Sequence, residues 1–327
     1  MIRLALLLCL MVLALFIASL AVGPTGIGAG EGLAALVAGG DGPVPLIMRE
    51  IRLPRALLGV MIGASLGLAG AALQGYLRNP LAEPGLIGVS GAAALGAVLA
   101  LQTGLAATFA LGLPLAALAG AGAGVILILL LAGPRGGSIT LILAGIALSA
   151  LAAALTSLVL NLSPNPYAAS EIVFWMMGSL ADRSMTHVWL ALPFMAAGWV
   201  ALATLGRGLD ALTLGEDAAE AMGVRLTRLR LILVLGTAAV VGAATAVAGA
   251  IGFVGLVVPH LLRPLVGAQP SRLLWASAMG GAAMVLAADL AVRLVLPERD
   301  LKLGVLTAIV GAPLFLHLIY KTRAEMP

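Results

Sequence analysis

RLPRALLGVMIGASLGLAGAALQGYLRNPLAEPGLIGVSG, residues 52–91, decides how this chain is read. It starts with Arg52 and Arg55 flanking Pro54. An uncharged run of about twenty residues follows, enough to cross a bilayer as an α-helix. The run breaks at Arg78-Asn79-Pro80 and again at Glu83-Pro84-Gly85, then returns to apolar sequence with no long polar loop. Broken backbone at membrane depth is tolerated only where protein buries it or a water-filled cavity reaches it. Transporters use such discontinuous helices to build their binding and gating segments.

The rest of the chain has the same character. Its 327 residues are 62% hydrophobic and 10% charged, with a mean hydropathy of +1.15. A soluble domain carries about 25% charged residues, and a soluble core of this size would lack a charged surface to cover it. The charges fall in short intervals between apolar runs, which defines an all-α integral membrane protein. Ten membrane-embedded helices are expected, near 4–22, 54–76, 86–101, 107–131, 139–161, 188–205, 230–250, 251–266, 273–296 and 304–320, with the third and eighth short. Residues 1–22 read as a retained first span and not a signal peptide, because the run is long for a signal sequence. The 42 glycines and many alanines let backbones approach closely, so the spans should pack as one bundle, a single transmembrane domain over 1–327. Gly63 with Gly67 and Gly120 with Gly124 are assigned to that packing. The net charge of +4 argues for no nucleic-acid partner, since placement matters more than the sum in a membrane chain. Cys9, the single cysteine, allows neither an internal disulfide nor a cysteine metal site.

With a cytoplasmic N-terminus and alternating spans, eleven basic residues face inward: Arg3, Arg78, Arg135, Arg207, Arg225, Arg228, Arg230, Arg263, Arg272, Lys321 and Arg323. Seven face outward: Arg49, Arg52, Arg55, Arg183, Arg293, Arg299 and Lys302. The excess inside supports this orientation. The outward set works against insertion bias. Arg52, Arg55 and Arg293 sit at span ends, where they either form a cationic docking rim or pair locally with Glu50, Glu298 and Asp300. The longest inward interval, 206–229, holds Glu216, Asp217 and Glu220 in a run of helix formers, a Gly223 that can end the helix, and then Arg225, Arg228 and Arg230. Acids at the start and bases after the end suit the helix dipole. A short ordered helix outside the membrane fits docking of a cytoplasmic protein better than a bare connector.

A second interruption is expected at 249–260, where Gly249, Gly252 and Gly255 precede Pro259. Two discontinuous elements, one in each half, fit an inverted-repeat transporter. The motif G-x-x-x-x-G-K-S/T is absent, and Lys302 and Lys321 are the only lysines, so the chain holds no P-loop for ATP. Neither H-E-x-x-H nor G-x-S-x-G occurs, and His187, His260 and His317 are widely separated, which suits helix ends more than a metal or cofactor site. Asp289 lies four residues before Arg293, on one helix face, so the two should pair. No chain of buried acids suggests a proton-driven carrier. An ion-gradient-driven secondary carrier remains the rival reading, and an intramembrane enzyme would need a catalytic constellation that the spans lack.

Five blocks of this sequence resemble the FecCD family of ABC-transporter permeases, importers of iron–siderophores, haem and cobalamin. They are Arg52-Leu53-Pro54-Arg55 with Gly70-Ala71-Ala72-Leu73-Gln74 and RNPLAEPGLIGVSGA (78–92); FWMMGSL (174–180); LTLGEDAAEAMGV (212–224); GAIGFVGLVVPHLLR (249–263); and GVLTAIVGAPLFLHLI (304–319). They occur in the family's order along nearly the whole chain. The resemblance implies a permease homodimer in the bacterial inner membrane, with the pathway on its two-fold axis, two ATPase subunits and a periplasmic binding protein. It implies that Arg52, Arg55 and Arg293 meet the binding protein. It also implies that Gly215, Glu216, Glu220 and Gly223 form the helix that couples to the ATPase, and that Asn79, Leu81 and Ser138 belong to the cytoplasmic gate. No cofactor or bound metal is implied. One departure stands out: where the family usually has Glu-Leu-Pro before the last span, this chain has Asp300-Leu301-Lys302, adding positive charge to the outer rim.

Overall fold

In a computed structural model, the described residues are 1–23, 26–109, 111–133, 137–163, 166–295 and 301–325. Arg135, Glu298, Arg299 and Asp300 lie outside them, as do the side chains of His317, Lys321 and Arg323. The helices in chain order are α1 (Ile2–Ala21), α2 (Ala29–Ala38), α3 (Pro43–Ile47), α4 (Leu53–Tyr76), α5 (Val89–Gln102), α6 (Leu105–Thr108), α7 (Gly112–Ala132), α8 (Ser138–Asn161), α9 (Pro166–Met176), α10 (Met185–Ala203), α11 (Gly206–Leu212), α12 (Glu216–Ala221), α13 (Leu226–Ala248), α14 (Val254–Leu262), α15 (Pro270–Val295) and α16 (Leu303–Glu325). A π-helical turn, Met48–Arg52, joins α3 to α4, and 3-10 turns at Pro84–Ile87 and Pro264–Val266 precede α5 and follow α14.

Among the described residues, seven segments are long and apolar enough to cross a membrane: α1, the continuous Pro43–Tyr76 rod ending in α4, α7, α8, α10, α13 and α15. Burial sorts them into an inner and an outer set. The most apolar window of the α4 rod is 89% buried and that of α13 is 78% buried, whereas α1 reaches 17% and α10 28%. The inner helices are sealed by protein. The outer ones present bare side chains such as Leu6, Leu10, Val200 and Trp189, as lipid-facing surface does.

Small residues make the inner packing possible. α4 lies along α15, where a Cβ on Gly63 would meet the Gly281 backbone and one on Gly67 the Ser277 carbonyl. α5 and α7 approach in the same way, with Gly96 against Ala116 and Gly120 against Ala92. In lipid, close backbone contact of this kind replaces the hydrophobic drive that packs soluble helices. A short polar link crosses the α4–α10 face: Trp199 Nε1 donates to Ser65 Oγ at 2.9 Å.

The structure departs from the sequence expectation in several places. The segment expected to span at 251–266 is the nine-residue α14, about half a crossing in length. Its interruption is confined to 249–253, because Gly255 and Pro259 lie inside the helix. The second rod starts eleven residues early, at Pro43, since the π turn carries α3 into α4 without a break. Helices α2 and α9 occupy stretches where no element was expected, and the 206–229 interval holds two helices, α11 and α12, in place of one.

Candidate functional site

The two breaks meet. After α4 the chain leaves the helix at Leu77, and Arg78 takes a left-handed φ of 49°. Asn79 Oδ1 then accepts the Leu81 N–H at 2.9 Å, a side-chain turn that fixes the reversal. The chain re-enters the bundle through the Pro84–Ile87 turn. Gly88, with φ 77° and the α8 backbone against it, starts α5. In the second half α13 stops at Gly249 and the backbone runs without helical structure to Phe253, whose φ of 66° turns it into α14. The Pro84 ring rests on Gly255, 2.5 Å from where a Cβ would stand, so only glycine fits there. The Glu83 carboxylate accepts the Phe253 N–H. A cavity of about 170 Å³ lies between the breaks, lined by Glu83, Pro84 and Gly85 on one side and 249–253 on the other, with Ile62 and Leu66 beneath.

Gln74, near the end of α4 and 1% exposed, ties the junction together. Pro259 has no N–H, so the carbonyl four residues earlier, Gly255 O, has lost its helical donor. Gln74 Nε2 supplies one at 3.4 Å, and reaches Leu256 O and Ala82 O at 3.2 Å each. Its Oε1 accepts Arg263 Nη2 at 2.7 Å, from the residue that caps α14. One amide thus holds α4, the first break and the second half-helix. Sequence reading passed over Gln74 as part of a motif. The available signal was Pro259, which leaves a carbonyl needing a donor from elsewhere.

The sequence-selected arginines gather at the opposite end of α4. Arg55 clasps Asp289, with Nε 3.0 and 3.1 Å from its two oxygens and Nη2 at 2.8 Å. Arg293 Nη2 meets the other face of the same carboxylate at 2.9 Å, as the four-residue spacing requires. Arg293 also donates to Ser19 O, Val22 O and Ser19 Oγ at 2.7–3.0 Å, and Arg52 Nη1 donates to Leu20 O and Ala21 O at 2.9 Å. These carbonyls end α1 and have no intrahelical partners. The arginines are therefore part of the fold, with Asp289 2% exposed, Arg293 9% and Arg55 20% at the side chain. Among the described residues, Arg55 and Arg293 share the Asp289 carboxylate, and Arg52 stands beside them on the α1 carbonyls. Nearby, Lys302 lies 5.7 Å over the Phe174 ring, which ties the departure from the family pattern to the 174–180 block.

The expected coupling helix is α12. Gly215, with φ 107°, opens it; Glu216 and Asp217 fill its first turn, and Gly223, with φ 86°, ends it. The Gly223 N–H reaches Glu220 O at 2.8 Å and Val224 N–H reaches Ala219 O at 3.0 Å, the paired bonds of a Schellman cap. Glu216 and Glu220 are exposed. Unforeseen in the sequence, Asp210 on α11 pins this region to α15, accepting Ser271 N–H at 2.8 Å and Gln269 Nε2 at 3.0 Å. Burial pushes the Asp210 carboxyl up, but those bonds, the Ser271 hydroxyl and the Arg272 charge outweigh it and hold the group below the usual carboxylate range.

Of the expected gate residues, Asn79 and Leu81 share the turn described above. Ser138 starts α8, and its side chain hydrogen-bonds to Tyr76, the last residue of α4. It therefore stands beside the first break. His187 caps α10 by accepting Ser184 N–H at Nδ1, 3.2 Å away, and His260 lies in the last turn of α14. No group of three or more His, Cys, Asp or Glu side chains that could hold a metal occurs among the described residues.

Comparison with known proteins places this architecture. The model of the FecCD transport family matches residues 10–321. The cobalamin import system permease of Halobacterium salinarum is 39% identical over 277 residues, 84% of this chain and 73% of that one. The Fe(3+) dicitrate permease FecD of Escherichia coli is 40% identical over 277 residues, 85% and 86% of the two chains. A solved structure described as an inward-facing metal-chelate type ABC transporter superposes with a TM-score of 0.86 at 33% identity, covering 98% of this chain and all of that one. With seven long apolar helices among its described residues, the chain is a multi-pass inner-membrane protein and belongs to the FecCD transport family.

Proposed function

We infer that the chain is the permease subunit of an ABC importer that carries a metal chelate across the inner membrane, an iron–siderophore or haem, with cobalamin as the alternative cargo. The observation that carries this reading is the junction at Gln74, where two broken segments from the two halves are held around a cavity. Backbone of this kind is what a pathway through a bilayer requires. The family membership, residues 10–321, agrees with it.

The unit is a homodimer of single-domain permeases, each with ten membrane-embedded segments, α1, α4, α5, α7, α8, α10, α13, α14, α15 and α16. The succession of helix, break and helix in α4–α5 and again in α13–α14 supports an inverted repeat. Helix α8 is buried on one stripe (Leu141, Ala144, Leu148, Ala152) and bare at Leu143, Ile146 and Leu158, which supports a second protomer against that face. A loaded periplasmic binding protein docks on the outer end, where Arg52, Arg55 and Arg293 gather and attract acidic side chains. Two partner ATPases hydrolyse ATP and drive α12 through Gly215, Glu216, Glu220 and Gly223. The movement passes along α11 and α13 to the first break, where Asn79, Leu81 and Ser138 gate the cytoplasmic side.

ATP-driven uptake in proteoliposomes tests this. The chain is reconstituted with its ATPase and offered binding proteins loaded with ferric siderophore, haem or cobalamin. Uptake of one ligand, dependent on ATP and on its binding protein, is expected and names the cargo. Uptake without ATP, abolished by collapsing an ion gradient, would make the chain a secondary carrier. Replacing Glu216 and Glu220 by alanine should abolish uptake while binding-protein docking persists. Normal transport by that variant removes α12 from the coupling step.

A further inference from the structure

Helices α10 and α13 pack along their length and part at the cytoplasmic end. There they open a cleft of about 300 Å³ between Thr204 and Leu205, the turn from α10 into α11, Gly208 of α11, and Arg225, Arg228 and Ile232 at the start of α13. The two arginines are exposed, three residues apart on one side of the helix start, and make no salt bridge among the described residues. No side chain caps α13, so the N–H groups of its first turn and the positive end of its dipole add to the same charge. Deeper in the bundle the seam changes character. Below Arg228, the same face of α13 bares Leu231 and Leu235, 42% and 45% exposed. The seam is cationic at the membrane edge and apolar beneath it. A soluble anion would use only the upper half of that surface.

We propose that this cleft binds an anionic phospholipid, with its phosphodiester on Arg225 and Arg228 and an acyl chain along Leu231 and Leu235. Charge complementarity selects the headgroup, and continuity with the lipid-facing seam selects an amphiphile over an acidic protein loop. Gly223, the end of α12, also lines the cleft. A bound headgroup therefore sits under the helix assigned to coupling and braces its cap. The site requires only that the chain span a membrane and is independent of the cargo.

The test is native mass spectrometry of the full chain with its ATPase, released from nanodiscs of equal phosphatidylglycerol and phosphatidylcholine. Wild-type protein should retain phosphatidylglycerol in preference to phosphatidylcholine by about thirtyfold, from two basic side chains at a membrane surface. The Arg225→Gln/Arg228→Gln variant should lose that preference and Arg3→Gln, a control at the same membrane face, should keep it. Retention of both lipids equally by the wild-type protein, a measurement that needs no variant to fold, overturns the proposal. So does a double variant that keeps its phosphatidylglycerol. A double variant that sheds its ATPase while holding the lipid assigns the cleft to the ATPase.

Discussion

Asp289→Asn is the most informative single change the structure offers. The substitution preserves volume and removes the negative charge that pairs with both Arg55 and Arg293. Removing one partner of a buried ion pair costs about 3–5 kcal/mol, because the remaining charge stays out of water without compensation. Two features here place the cost near the lower end, about 3 kcal/mol. Arg55 is 20% exposed at its side chain, so water relieves part of its charge. Arg293 keeps its three bonds to Ser19 and Val22. The assay is reversible unfolding by sodium dodecyl sulfate in mixed micelles, followed by tryptophan fluorescence. A second variant separates charge from geometry: Arg55→Met, Asp289→Leu and Arg293→Met together replace the triad with apolar groups. Such replacements are often neutral or stabilising, so the triple variant should recover most of the loss. If Asp289→Asn unfolds within about 1 kcal/mol of wild type, the carboxylate is not the keystone of the cluster and the reasoning fails. The triple variant also bears on docking. It should fold yet lose binding-protein-dependent uptake, and normal uptake would remove these arginines from the docking surface.

Gln74→Leu keeps the volume but leaves Arg263 and the Gly255 carbonyl without their partner. A loss of about 1–3 kcal/mol is expected, with uptake falling while the ATPase still co-purifies; unchanged uptake means the junction does not hold the gate. Asp210 should show itself at acid pH. Its folded value lies below the unfolded value near about 3.9, so its bonds to Ser271 and Gln269 stabilise above that value and are lost as pH falls through the folded one. The stability gap between wild type and Asp210→Asn should therefore be full at pH 7 and close below about pH 4; a gap unchanged at pH 3 would contradict the assignment. Gly67→Val would drive a side chain into the Ser277 carbonyl of α15. Overpacking of this kind costs about 1–3 kcal/mol or more, read as loss of monodisperse protein on size exclusion.

The spans were legible because lipid imposes one rule on every residue they contain. A run such as Ser138–Asn161 cannot carry charge and cannot leave its backbone unpaired, so composition alone draws its limits to within a few residues. The same rule makes a break conspicuous, and both interruptions could be placed from Pro, Gly and Arg where charge and apolar sequence collide. Helices α2 and α9 were not legible, since they lie between spans, where the bilayer rule does not apply. The arginines were legible as a set but not in their chemistry. Their spacing left open a cationic rim or local pairing with Glu50, Glu298 and Asp300, whereas Arg52 and Arg293 in fact close the end of α1, a contact separated by 31 and 274 residues. Local pattern cannot report a partner that far away; only Asp289–Arg293, four residues apart, was within its reach. Gln74 shows where the limit lies. Pro259 announces that Gly255 lacks a donor, and burial at membrane depth makes that lack costly. Both premises are in the sequence, and together they require a polar side chain from some other helix. Which helix supplies it is decided by the approach of α4 to α14, where Gly70 lets the Gly255 backbone come into contact. Gly70 and Gln74, read in the sequence only as members of one motif, are thus two parts of one device, and only the fold sets both against Gly255.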